Sequence, residues 1–383
     1  MRLDGLNRWQ AMLMVFIALV TVGEARGLAR ASAPQNAWQP VWKIGTFDQS
    51  SSEFHSGTAA APATTYLVGK SVPGKNWFAF QPGSRNGLFG HQPHPAGIQF
   101  NLAEKPGGVY RMKIALLVEH PGISALDVAI NGHTGRFYQH PKLNYNMGDI
   151  SGAFFPEYST DTITFEFPAR FLLEGTNHIV LTAMDEPSPG DQPTADGTPA
   201  GDSGVVYDAL ELEHQPAGRF EPGQISASIV PTIFYRNQDG QSREMVNVCV
   251  RYNQQPRRGS VELGIGGKTF TQALPADRAF GEQKTQFAVP EFEGTAQGKV
   301  TVAINGHRRS FSQELTPGKK WTFFVVPNEH LDLGYTDYQP KVAEVHARVL
   351  DEAMELIKKH PDFRYSVDGY WEIQQFLDGR TAA

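Results

Sequence analysis

His330 and Asp332 stand two positions apart in VVPNEHLDLGYTDYQP (325–340), directly after an apolar run. An imidazole nitrogen and a carboxylate oxygen at this spacing converge on one cation where the backbone turns, and Gly334 eases such a turn. Zinc accepts this mixed nitrogen and oxygen donor set. A hydrogen-bonded pair or a solvated loop has the same spacing, so the metal reading rests on where the pair sits. In α/β domains, reactive groups collect on loops at the carboxyl ends of parallel strands, and the sequence pattern puts His330 and Asp332 at such an end.

That placement depends on the surrounding elements. WTFFVVP (321–327) is a continuous apolar run of the kind expected for a parallel strand covered on both faces. QPKVAEVHARVLDEAMELIKKH then has helical spacing, which predicts Val342, Val345, Val349, Ala353 and Leu356 on one buried face. Pro340 suits the first turn, Lys358 and Lys359 suit the negative end of the dipole, and Pro361 stops the helix. FRYSV reads as a second strand and YWEIQQFL as the opening of a second helix. Residues 320–383 therefore read as βαβα, the start of an α/β barrel, and fall far short of the roughly 250 residues of a closed one. Among nearby carboxylates, Asp351 is expected on a solvated helix face and Asp337 at the helix start. Asp368, at the end of the second strand, can reach the site as a structural or substrate-orienting group.

Upstream the patterning is that of antiparallel sheets. Over 40–213, GVYRMKIALLVEH alternates Tyr110, Met112, Ile114, Leu116 and Val118 onto one face, and DTITFEF does the same with Ile163, Phe165 and Phe167. The Pro/Gly/Asp-rich stretch 186–203 lies between two strong strands and reads as a loop inside this sandwich. Five further strand patterns with turn residues between them span 219–318, a length that suits an immunoglobulin-like sandwich. VAINGH occurs at 128–133 and again at 302–307, where Asn-Gly supplies the positive φ angles of a tight hairpin and leaves His133 and His307 as surface hairpin residues. In EMVNVCVRY, alternation sets Val246, Val248, Val250 and Tyr252 against Asn247, Cys249 and Arg251. Cys249 is the only cysteine, which excludes an intramolecular disulfide and reads as a bland free thiol.

Bulk properties agree with packed, turn-rich domains: hydrophobic residues are 40%, charged residues 19%, with 38 Gly and 26 Pro. A net charge of -6 offers no overall basic surface for counterion release, so nucleic acid is not expected as a partner. Arg2 and Arg8 precede the apolar run AMLMVFIALV, and Ala29-Arg30-Ala31 supplies a small-x-small cleavage site, so residues 1–31 read as an export signal. The run is about half of the roughly 20 residues that span a bilayer, so no stable membrane span is expected after cleavage and the product is expected to be secreted or periplasmic.

NEHLDLGYTDYQ followed by a long helix and YSVDGYW resembles the start of the catalytic domain of family 38 glycoside hydrolases, the zinc-dependent retaining α-mannosidases. The resemblance implies that His330 and Asp332 are zinc ligands, with a further Asp and His expected from later segments. In this family the later Asp is also the nucleophile, and it has no counterpart in this chain. The zinc site is therefore expected to be incomplete and the chain to be hydrolytically inactive. Where the family pattern has Pro-Gly-Trp, this chain has Leu333-Gly334-Tyr335, so Tyr335 is the residue that would meet a sugar face, with Asp368 as the second substrate-binding candidate. VWKIGTFDQSSSEF, FEFPARFLLEGTNHIVLT and DSGVVYDALELE resemble, in order, the carbohydrate-binding-like third domain of rhamnogalacturonan lyases, a galactose-binding-type jelly roll. This implies a carbohydrate partner without fixing a binding residue. Trp42, Trp77 and Phe80 are candidate platforms or core residues, His91 and His94 a metal-compatible pair or an exposed turn, and Asp202 and Asp208 cation ligands or turn and strand-end hydrogen bonders. The expected whole is two β-sandwiches followed by a truncated α/β barrel start, with a non-catalytic carbohydrate-binding protein or a polysaccharide lyase fragment as the alternatives.

Overall fold

The computed structural model describes residues 37–55, 64–86, 89–118, 125–139, 159–185 and 204–380, apart from Phe323, Leu331, Gly334 and Thr336. The export-signal reading (1–31) and the loop 186–203, with Asp202, lie outside the described residues. The described residues pack as two compact units, one formed by Thr232 and earlier residues with Arg236–Thr316, the other by Ile233–Tyr235 with the chain from Pro317.

In the first unit, the amino-terminal sandwich is built from β1 (Gln39–Gly45), β2 (Thr64–Leu67), the short helix α1 (Pro73–Asn76), β3 (Phe80–Pro82), β4 (Ala96–Leu102), β5 (Val109–Val118), β6 (Ala125–Ile130), β7 (His133–Tyr138), β8 (Ser159–Pro168), β9 (Gly175–Met184) and β10 (Gly204–Gln215). One sheet runs β1-β10-β5-β8 with β3 against β10. The alternation seen in sequence is realised: Met112, Ile114, Leu116, Ile163, Phe165 and Phe167 are buried in one core with Trp42 and Trp77. Asp208 sits where the β10–β5 register slips, and the bulge turns its carboxylate toward the 48–50 loop.

The second sandwich comprises β11 (Ile225–Gln238), β12 (Gln241–Tyr252), β13 (Gly259–Ile265), β14 (Lys268–Ala273), β15 (Phe280–Pro290), β16 (Ala296–Ile304) and β17 (His307–Leu315). Val246, Val248, Val250 and Tyr252 enter its core, while Cys249 is half-buried on the other face. Both VAINGH copies form the expected hairpins, with Asn131 and Gly132 at φ 45° and 85° and Asn305 and Gly306 at φ 50° and 90°.

The two sandwiches are not independent sheets joined by a linker. A single eight-stranded sheet runs β11-β12-β15-β7-β6-β9-β4-β2, its halves joined by a short parallel pairing of Phe280 with Gly135 and Gly281 with Arg136. Phe280 belongs to the second sandwich by sequence but is buried in the core of the first, against Phe137, Phe165 and Phe171. Two glycines make this approach possible. A Cβ on Gly135 would lie 2.4 Å from the Phe280 ring, and one on Gly281, at φ +111°, would lie 2.4 Å from the Arg136 carbonyl oxygen. Arg251 fastens the same junction: its guanidinium donates to the Thr164 carbonyl and lies 3.4 Å from Glu282, which accepts the Tyr138 N–H at 3.0 Å.

The second unit contains β18 (Asn328–Glu329), α2 (Gln339–Lys359), β19 (Ser366–Val367) and α3 (Tyr370–Gly379), the βαβα order read from sequence. β18 and β19 are parallel, but each is only two residues long. The apolar run before them corrects the expectation of a buried strand: Trp321, Phe324, Val325 and Val326 are exposed coil, Phe324 by 89%. A strand buried on both faces needs paired neighbours and a layer on each side, and the partner strand here is two residues long. The helix face is corrected too. α2 buries Val342, His346, Ala347 and Ala353, while Val345 and Leu356 remain exposed. The burial follows α3, whose Trp371 meets His346 edge-on and whose buried Glu372 lies 3.8 Å from the His346 ring nitrogen.

Candidate functional site

The site grows out of the β18–β19 register. Asn328 pairs with Ser366 and Glu329 with Val367, so the next residues along, His330 and Asp368, leave the two strands side by side at their carboxyl ends. Asp332, two residues on, turns back toward the same imidazole. The result is a histidine between two carboxylates: Nε2 lies 3.5 Å from Asp332 Oδ1, and Nδ1 lies 3.4 Å from Asp368 Oδ2. The side chains of His330, Asp332 and Asp368 are 78%, 42% and 45% exposed, so a ligand reaches them from solvent. Tyr335 presents its ring to solvent nearby in sequence, exposed by 89%.

Two donors on one tetrahedral zinc, each about 2.0–2.2 Å from the ion, lie roughly 3.3–3.5 Å apart. The Nε2 to Oδ1 separation of 3.5 Å matches that edge and exceeds the usual hydrogen-bond length of about 3 Å. Asp368 faces the opposite ring nitrogen and cannot share that ion with Nε2. Asp368 keeps nearly the same distance from Nδ1 as Asp332 keeps from Nε2, so the imidazole stands between two carboxylates and the distances select no tautomer. Among the described residues no group of three or more His, Cys, Asp or Glu side chains is arranged to hold an ion. The His330–Asp332 pair offers two donors at most, fewer than the three or four protein ligands that a zinc site uses.

Two other carboxylates of the unit, Asp337 and Asp351, are engaged elsewhere. Asp337 stands just before the helix, where its bond from Lys341 and then that from the Tyr338 N–H hold its carboxyl below the usual range. Asp351, expected to be solvated, accepts both the Nε and Nη2 protons of Arg380.

In the front sandwich, Trp42 and Trp77 are core residues and Phe80 is half-buried against Phe89, so none is an exposed platform. His91 Nδ1 and His94 Nε2 bond the carbonyls of Arg85 and Phe89 separately, as turn residues do. Asp208 accepts the Asp48 and Ser50 N–H groups at 3.3 and 3.2 Å, and burial pushes its carboxyl up. It acts as an anchor for the 48–50 loop.

Residues 40–212 match the family described as "CBM-like: Polysaccharide lyase family 4, domain III". A search of curated proteins finds no match to this chain. Among solved structures, a GH2 β-galacturonidase from Eisenbergiella tayi bound to galacturonate is similar at 15% identity over 75% of this chain and 47% of its own, with a TM-score of 0.23. A putative β-galactosidase from Bacteroides fragilis is 12% identical over 68% of this chain and 40% of its own, with a TM-score of 0.20. An exo-chitosanase from Amycolatopsis orientalis is 12% identical over 75% of this chain and 34% of its own, also at 0.20. The chain spans less than half the length of each of these structures.

Proposed function

We propose that this chain is an exported, carbohydrate-active protein in which the front sandwich binds saccharide and the carboxyl-terminal βα unit carries a zinc half-site of the α-mannosidase type. The observation that carries the carbohydrate reading is the match of residues 40–212 to a carbohydrate-binding-like domain, over a stretch that folds as a sandwich with a closed aromatic core. Secretion or delivery to the periplasm is part of the proposal. Among the described residues no helix is long and apolar enough to cross a membrane.

The convergence of His330, Asp332 and Asp368 supports the narrower reading. His330 Nε2 and Asp332 Oδ1 are the atoms that would hold zinc, which when bound acts as a Lewis acid toward sugar hydroxyls. Asp368 orients the imidazole from its other nitrogen, and Tyr335 offers an exposed ring to a sugar face. Retaining hydrolysis needs two carboxyl groups about 5–5.5 Å apart across the scissile bond. In this unit Asp332 and Asp368 flank one imidazole, Asp337 is held by Lys341 and Asp351 by Arg380. We therefore propose a protein that binds saccharide without cleaving it.

The test is a glycan-binding screen of the full chain alongside an aryl α-mannoside assay with added zinc. Saccharide binding without turnover is the expected result. Absence of any saccharide binding would remove the carbohydrate reading, and measurable turnover lost in His330→Ala would show that this chain completes its own catalytic site.

A further inference from the structure

Where the continuous sheet passes from one sandwich to the other, the first unit opens into a groove of about 660 Å³. That lies within the roughly 300–1,000 Å³ usual for small-ligand sites. Its wall from the first sandwich carries His133, Arg170 and Phe171; its wall from the second carries Gln254, Arg257 and Arg258. In a chain of net charge -6, this lining contains three arginines and no aspartate or glutamate. Arg257 and Arg258 are exposed, and among the described residues neither guanidinium has a carboxylate partner. Arg170 lies over the rings of Phe171 and Phe220, at 5.5 and 6.0 Å.

Beside this charge is a flat surface. The His133 ring stacks on Phe171 at 3.9 Å with 11° between planes, and burial together with Arg170 lowers its affinity for a proton, so the stack is neutral at neutral pH. The arginine-bearing loop is held from behind. Asn305 accepts the Arg258 N–H at 3.1 Å and donates to the Gln255 carbonyl at 2.8 Å. Asn253 accepts the Gln224 N–H at 3.0 Å and donates to the Glu221 carbonyl at 2.8 Å. Gln254 lines the same wall, with its Oε1 buried and, among the described residues, without a hydrogen-bond partner.

We propose that the groove between the two sandwiches binds a carboxylate-bearing saccharide, with Arg170, Arg257 and Arg258 receiving the carboxylates and the His133–Phe171 stack meeting a sugar face. The guanidinium fork matches the planar carboxylate through paired charge-assisted bonds, which a spherical charge does not exploit. Apolar sugar faces and aromatic planes complement one another beside such a charge pair. The proposal rests on the carbohydrate reading above and makes it specific: the ligand is acidic, and it sits at the junction of the sandwiches.

The experiment is titration calorimetry of the full chain with a galacturonate tetramer, the same tetramer methyl-esterified, and a neutral tetramer of galactose. Each guanidinium–carboxylate pair is worth about tenfold or more in affinity. The acidic tetramer is expected to bind, the ester at least tenfold more weakly, and Arg257→Gln/Arg258→Gln about 100-fold more weakly while melting at the wild-type temperature. In that variant the ester and the free acid are expected to bind alike. Arg170→Gln gives an independent third reading from the opposite wall. Equal affinity of ester and acid in the wild type, or wild-type affinity in the double variant, overturns the groove assignment. Neutral tetramer bound as tightly as the acid, with no effect of the arginines, overturns it while leaving the carbohydrate reading intact. No binding of any tetramer overturns both.

Discussion

Truncating Phe280 to alanine is the perturbation that separates a welded pair of sandwiches from two that merely touch. The side chain is 2% exposed and has ring partners at 5.1, 6.0 and 6.0 Å in the core of the sandwich to which it does not belong by sequence. A buried Phe→Ala change costs about 3–5 kcal/mol through lost transfer energy and the cavity left behind. Gly135 and the Phe165 ring cannot close that cavity without moving a strand, so the cost belongs near the upper end. The loss falls on the junction more than on either core, and it should therefore change cooperativity as well as the midpoint. Urea unfolding distinguishes the two effects. Trp42 and Trp77 lie in the first core and the second core contains no tryptophan, so in a Trp321→Phe/Trp371→Phe background, which silences the tryptophans of the second unit, fluorescence follows the first sandwich while far-ultraviolet circular dichroism follows both. In the wild type the transitions of the first unit should coincide; in Phe280→Ala the fluorescence midpoint should fall and separate from the dichroism midpoint. A loss below about 1 kcal/mol with coincident transitions would refute the reasoning, because it would mean that the ring contributes no more than a surface substitution.

Three further outcomes follow from the same contacts. Gly281→Ala places a Cβ against the Arg136 backbone at a positive φ, so it should destabilise the first unit by about 2 kcal/mol or more and reduce expression of folded protein, which thermal melts will check. Burial raises the Asp208 carboxyl, so its contribution is fully present below the unfolded carboxylate pKa and is lost as pH rises through the higher folded value; wild-type stability relative to Asp208→Asn should fall as pH rises above about 4, measured as urea midpoints. Zinc held by two donors should be weakly retained, His330→Ala should abolish that binding, and Asp368→Asn should weaken it by about tenfold, as read by competition with a zinc-responsive dye.

What was legible in the sequence was local. Alternation in GVYRMKIALLVEH and DTITFEF named the inward residues Met112, Ile114, Leu116, Ile163, Phe165 and Phe167 because one side of each strand meets a core and the period of two records it. The Asn-Gly turns were legible for a similar reason, since positive φ at two successive residues restricts the residue types. Strand-end placement of His330 beside Asp332 was legible from the motif, and its meeting with Asp368 from the strand ends. The apolar run WTFFVVP misled because hydrophobicity reports a tendency to be covered and says nothing about what does the covering; here Phe324 and Val325 are exposed by 89% and 84%. The face of α2 misled by a rotation of the stripe. Its helical period was right, but Glu372 and Trp371 of α3 select the His346 side, and two neighbouring stripes on one helix are both compatible with the sequence.

The junction could not be read from the sequence at all, and the reason bears on function. Phe280 pairs with Gly135, 145 positions earlier in the numbering, through two rungs of a parallel ladder that leave no periodic trace. Nothing in DRAFGEQ marks its phenylalanine as belonging to the earlier core, and nothing in NGHTGRF marks its second glycine as a seat for that ring. Yet these two residues set the mutual placement of the strands that carry His133 and of the loop that carries Arg257 and Arg258. Separately, His133 is a hairpin residue and the two arginines are a solvated pair. Once the sheet is continuous they face one another across a groove whose charge is opposite to that of the chain as a whole. Binding sites assembled at the seam of two domains draw their residues from segments that share no motif, so the sequence records them only as unremarkable surface positions. It is the packing of one aromatic ring into a neighbouring core that turns those positions into a site.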